Sequence, residues 1–160
     1  MEEIHSVIKA LLAELPDGNI VEQFKSRNIV GVRLIKSPPL INGGIWLDLS
    51  KLHDKPEEMI YIIELSETDP IDQWLITVGH EFCHTFDATL IFASECLTDY
   101  LAKLFCKHYG GPIDGWTEWL RIADEIFCEM FARRWLNEKN NYKEAVQLLD
   151  VLKERKRLFF

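Results

Sequence analysis

The sequence predicts an α+β domain in which an N-terminal helix and a small, mostly antiparallel sheet precede a helical half. Three observations predict it. Apolar residues recur at helical spacing at the start of the chain, short β-rich runs bounded by turn signals follow, and beyond Asp69 the spacing returns to that of helices. With 160 residues and no repeat, low-complexity run or Gly/Ser linker, the chain has the length of a single domain, expected to span residues 1–160.

Each element has its own warrant. From about Glu2 to Leu15, Ile4, Val7, Ile8, Leu11, Leu12 and Leu15 form one apolar stripe, which Pro16-Asp17-Gly18 ends. Strand-like runs cover Ile29 to Ile35, Gly44 to Leu49 and Met59 to Leu65. The breaks between them carry Pro38-Pro39, Asn42-Gly43-Gly44 and Asp54-Lys55-Pro56. A helix then starts at Pro70, with Asp69 as its expected cap, and carries Ile71, Trp74, Leu75, Val78, Phe82 and Phe86 on one face. A further helix is expected from about Ser94 to His108. A long one runs from about Gly115 to Asn137, with Trp116, Trp119, Leu120, Ala123, Phe127, Met130 and Phe131 on its apolar side.

Composition narrows the function classes. Apolar residues at 48% and charged residues at 28% exclude a disordered or fibrous chain. Eighteen basic against 26 acidic residues leave a net charge of −8, which argues against direct nucleic-acid binding, because that binding is driven by cationic contacts to phosphate. The one basic cluster, Lys153, Arg155, Lys156 and Arg157, reads as cations complementing the end of a last helix. No apolar run is long enough to span a bilayer, and the acidic start is unlike a secretory signal, so a cytoplasmic protein without a membrane partner is expected. Cys83, Cys96, Cys106 and Cys128 show no close pairing and read as reduced, buried thiols, although Cys83 falls inside the motif described next.

That motif is His80-Glu81-Phe82-Cys83-His84, an HExxH. Residues i and i+4 lie one helical turn apart on one face, so two imidazoles can share a tetrahedral Zn²⁺. The glutamate after the first histidine can then reach a water on the metal as general base. On a helical wheel Gln73, Thr77, His80, His84 and Asp87 share a polar face opposite the apolar stripe. A catalytic zinc site needs a third protein ligand and one open position. Asp87, Glu95 and Glu125 are the candidates. Asp87 is carried away along the helix axis, and Glu95 is explained as a first-turn acid. Glu125 lies in mid-helix, and Glu129, one turn on, can orient a ligating histidine. A solvated acidic face is the competing explanation of Glu125 and Glu129, since charge at that spacing is common on exposed helix faces.

The stretch Trp74 to His84 resembles the active-site helix of the ImmA/IrrE family of small gluzincin peptidases, and Glu125 to Leu136 is similar to that family's ExxAN-x-FA-xx-LL segment. The resemblance covers roughly residues 1 to 136. It implies a minimal zincin-like fold, Zn²⁺ held by His80, His84 and Glu125, and Glu81 as the base. Cys128 stands where the family usually has Ala, and Glu129 where it has Asn or Asp. The gap from His84 to Glu125 is longer than the family's usual one, and no helix-turn-helix domain is present. The expectation is a cytosolic zinc endopeptidase acting on a protein or peptide substrate such as a transcriptional repressor. The alternative is a non-catalytic zinc-binding scaffold of the same fold. For the oxyanion of a tetrahedral intermediate, His53, Tyr100, His108 and Tyr109 are available, and spacing selects none of them.

Overall fold

The computed structural model describes residues 2–36, 43–47, 60–86 and 116–160. Its elements run α1 (Glu2–Ala13), α2 (Ile20–Ser26), β1 (Ile29–Ile35), β2 (Gly43–Leu47), β3 (Tyr61–Ser66), α3 (Ile71–Cys83), α4 (Trp116–Asn137), α5 (Asn141–Arg155) and β4 (Arg157–Phe159). The expected α+β layout is present. The expected helix from Ser94 to His108 lies outside the described residues, as do Asp87, Glu95, His53, Tyr100, His108 and Tyr109.

The four strands form one mixed sheet in the order β2-β3-β1-β4. Two pairings are antiparallel, β2 with β3 and β1 with β4, and the central pair β1/β3 is parallel. The fourth strand was not expected from the sequence. Helix α5 ends at Lys156, whose left-handed conformation (φ 67°) turns the chain back along β1. There Leu34 N donates to Lys156 O at 2.8 Å and Phe160 N to Val30 O at 2.8 Å. Gly31 makes this possible, since a Cβ there would lie 2.6 Å from Leu158 O. The basic cluster is therefore divided. Lys153 and Arg155 do sit in the last turn of α5, but Arg157 belongs to the strand.

Helix α2 was also missed. It is only seven residues long, too short for a periodic signal, and it starts at Asn19, whose side chain accepts from Val21 N at 2.8 Å. Its Gln23 and Phe24 are buried. Gln23 Oε1 accepts from Trp135 Nε1 at 2.9 Å, and Gln23 Nε2 donates to Asn141 Oδ1 at 3.1 Å. This closed polar network ties α2 to α4 and α5 at little cost, because each buried group has a partner.

Helix α3 lies between the sheet and α4, its most extensive neighbour. The predicted apolar stripe is buried from Trp74 to Phe86 while Ile71 is half-buried, and Phe82 and the neighbouring Cys83 are fully enclosed. Two anchors fix the helix. Near its start Trp74 Nε1 donates to Ser66 O at 2.7 Å, joining it to the end of β3. Beyond its end Arg27 Nη2 donates to Thr85 O at 2.5 Å, and the guanidinium lies 4.2 Å from the Phe86 ring centroid. Asp69 does not cap the helix: the cap position is Pro70, with no side-chain hydrogen bond. Among the described residues, no helix is long and apolar enough to cross a membrane.

Candidate metal centre

The site begins with the way α3 meets α4. On α4 the fully buried residues Phe127, Cys128, Phe131, Ala132 and Trp135 form a stripe against the core. Asp124, Glu125 and Glu129 lie along its border. Gly79, one residue before the first motif histidine, sits at a close approach of the two helices. A Cβ there would be 2.9 Å from both Cα and Cβ of Ala132, and 3.1 Å from a Trp135 ring carbon. The part of the polar face of α3 that carries the histidines is consequently enclosed. It is covered by α4, leaving the side chains of His80 and His84 only 13% and 20% exposed. Thr77 is buried as well. The reason is complementarity: an acidic border on α4 meets the imidazoles of α3.

The contacts divide by ring nitrogen. His80 Nε2 lies 2.8 Å from Glu125 Oε2, and His84 Nε2 lies 3.3 Å from Glu125 Oε1, so one carboxylate spans both rings. On the opposite ring edges, His80 Nδ1 is 3.4 Å from Glu129 Oε2 and His84 Nδ1 is 3.3 Å from Asp124 Oδ2. The two rings are 4.9 Å apart between centroids. His80, His84, Glu125 and Glu129, the residues singled out from the sequence, are thus brought together. Glu81 lies within electrostatic reach of both histidines and Glu125.

Asp124 and Cys128 were not anticipated as site residues. Cys128 Sγ lies 3.6 Å from His84 Nδ1 and 4.0 Å from Asp124 Oδ1. The signal was available: Asp124 and Cys128 repeat the four-residue spacing of Glu125 and Glu129 one position earlier, so α4 presents two adjacent polar rows. Among the described residues two donor groups are close enough to hold an ion, His80 with His84 and Cys128, and His84 with Asp124 and Glu125.

Electrostatics follow from this packing. Burial opposes charge on His80, but hydrogen bonds to Glu125 and Glu129 outweigh it and raise its pKa to about 10. Burial likewise opposes charge on His84, and its contacts with Asp124, Cys128 and Glu125 raise it to about 12. Glu125 is held far below the usual carboxylate range by the two imidazoles, and Glu129 is lowered by His80. Burial raises Glu81, partly offset by the charges on His84 and His80. The Cys128 thiol is pushed up by its hydrogen bond with Cys83 and then by burial.

The donor set fits a divalent ion of borderline softness. Each imidazole Nε2 meets one oxygen of Glu125, and each Nδ1 is engaged by a second carboxylate, the arrangement that fixes the tautomer of a ligating histidine. The expected ligands His80, His84 and Glu125 are joined through Glu125, one of whose oxygens meets each Nε2, while among the described residues the groups close enough for one ion are His80 with His84 and Cys128, and His84 with Asp124 and Glu125. Compared with protein-family models, curated proteins and solved structures, the chain matches none of them.

Proposed function

We propose that this protein is a zinc-dependent endopeptidase of the cytoplasm, with His80, His84 and Glu125 as metal ligands and Glu81 as general base. The observation that carries this reading is the convergence of both Nε2 atoms on Glu125 while carboxylates from the same helix engage both Nδ1 atoms. The resemblance of the α3 and α4 segments to the ImmA/IrrE peptidases agrees with that assignment, and it supplies the substrate class, a regulatory protein such as a transcriptional repressor.

Bound at this site, Zn²⁺ supplies a Lewis acid that acidifies water and polarises the scissile carbonyl. The chain's own residues do the rest. Glu81, raised by burial, is poised to take a proton from the attacking water and return it to the leaving amine. Glu129 and Asp124 keep the Nδ1 protons of His80 and His84 in place, so that both lone pairs point to the same side. Glu125, with 48% of its side chain exposed, sits at the rim where a peptide can approach.

Metal analysis of protein purified from zinc-containing medium tests the reading. Wild type is expected to hold about one Zn²⁺ per chain, as structural and catalytic zinc sites do. His80→Ala and Glu125→Gln should lose it. Glu81→Gln should keep it while losing cleavage of an unstructured polypeptide. Equal zinc in wild type and in both ligand variants would overturn the site. A metal-loaded wild type no more active than Glu81→Gln would favour a zinc-binding scaffold instead.

A further inference from the structure

The His84 ring has donors on both edges, and the set on its Nδ1 edge contains sulfur. His84 Nδ1 lies 3.3 Å from Asp124 Oδ2 and 3.6 Å from Cys128 Sγ, and the thiol lies 4.0 Å from the other oxygen of that carboxylate, Oδ1. Ligands at ordinary zinc distances, about 2.0–2.3 Å from a tetrahedral ion, are about 3.4–3.6 Å apart. The two contacts of Nδ1 already match, and a turn of the Asp124 carboxylate is needed to bring one of its oxygens to both partners. The role of Asp124 as a hydrogen-bond acceptor explains the first contact. It does not explain a thiol within reach of both His84 and Asp124.

We propose that His84 Nδ1, Asp124 and Cys128 form a second cation site, for a thiophilic divalent ion, which competes with the Nε2 site for the same imidazole. Competition follows from the chemistry of the ring. A neutral imidazole has one lone pair for a metal: coordination at Nε2 leaves the proton on Nδ1, facing Asp124, and coordination at Nδ1 leaves it on Nε2, facing Glu125. Each arrangement finds a carboxylate acceptor already in place. Charge favours the sulfur site for a buried ion. A carboxylate and a thiolate cancel both charges of the cation, whereas Glu125 alone among the first site's ligands cancels one. Binding breaks the Cys128 S–H bond and forms a metal–sulfur bond, and the proton leaves to solvent. Asp124, whose Oδ1 accepts from the thiol and whose side chain is 28% exposed, is the acceptor nearest to hand. Soft ions such as Cd²⁺ are drawn to the thiolate, and the first site, without sulfur, has no such preference.

The proposal extends the peptidase reading, and its competition clause rests on that reading's Nε2 site. The test is a cadmium titration of the metal-free full chain, followed by the ultraviolet sulfur-to-cadmium charge-transfer absorption. Wild type should bind one Cd²⁺ with this absorption, and zinc uptake should fall by one equivalent as cadmium binds. Cys128→Ala should abolish the absorption and weaken cadmium binding by more than about 100-fold, beyond the usual loss of an outer-sphere partner. Asp124→Asn, at a partly exposed position safe for folding, should weaken it at least tenfold by the same comparison. Glu125→Gln should leave the absorption intact. Absence of the absorption in wild type, its persistence in Cys128→Ala, or simultaneous binding of both ions would overturn the proposal. Zinc binding that depends on Glu125 but ignores Cys128 would leave the peptidase reading standing in any of those cases.

Discussion

Replacing Gly79 with Ala sets two effects of known size against each other. In a helix interior Ala is favoured over Gly by about 1 kcal/mol, so an unobstructed site would be stabilised. Here the new Cβ would lie 2.9 Å from Cα and Cβ of Ala132, where ordinary contact begins at 3.4 Å, so α4 must retreat by about half an ångström. Its obstacle is backbone and cannot rotate away, and Trp135 behind it is fully buried. Overpacking of this kind costs about 1–3 kcal/mol, giving a net loss of up to about 2 kcal/mol, or up to about 8 °C in melting temperature for a chain of this size. The retreat also lengthens the contacts of Glu125 with His80 and His84, now 2.8 and 3.3 Å. Zinc affinity should therefore fall about tenfold, the lower end of the range for a disturbed outer sphere. Urea unfolding of the metal-free protein and chelator competition on the loaded protein measure the two effects separately. Adding Ala132→Gly should restore only part of both, since it removes the Cβ but leaves the Cα. A Gly79→Ala variant that is more stable and binds zinc normally would mean that the helices have slack, and the packing account of the site would be wrong.

Glu129→Gln should lower zinc affinity by about 10–100-fold, the range for a partner behind a ligating histidine, and by less than Glu125→Gln; chelator competition on both variants checks the order. In the metal-free protein His80 and His84 have raised pKa values, so their stabilising contribution is complete below their ordinary value of 6.5 and is lost as pH rises toward about 10 and about 12. The carboxylates Glu125 and Glu129 are lowered, so their contribution is present above 4.5 and is lost toward acid. Urea midpoints of chelated protein should hence decline from pH 6.5 upward, a trend that His80→Ala should flatten. Zinc uptake near neutral pH should release about two protons, one from each imidazolium, measurable by calorimetry in buffers of different ionisation enthalpy. Gly31→Ala should detach β4, because its Cβ meets backbone at Leu158 O. A loss of about 1–3 kcal/mol and faster amide exchange at Leu34 and Phe160 would report it.

The sequence by itself determined the elements that rest on local periodicity. The strand Ile29–Ile35 was legible as a short β-rich apolar run, and the apolar stripe from Trp74 to Phe86 because burial on one face imposes its period on the residues themselves. The same logic placed His80 and His84 on one side of a helix and Glu125 and Glu129 on one side of another. What it could not decide was whether those sides meet, since an acidic helix face is equally at home in water. That depended on the approach of α3 to α4 at Gly79 and Ala132, a contact between residues far apart in the chain and invisible to any local pattern. The same approach placed Asp124 and Cys128 on the back edge of His84. Likewise β4 exists only because Lys156 turns the chain against an edge that Gly31 leaves clear. Three residues carry too little periodicity to announce a strand, and only the partner strand supplies the hydrogen bonds that make them one.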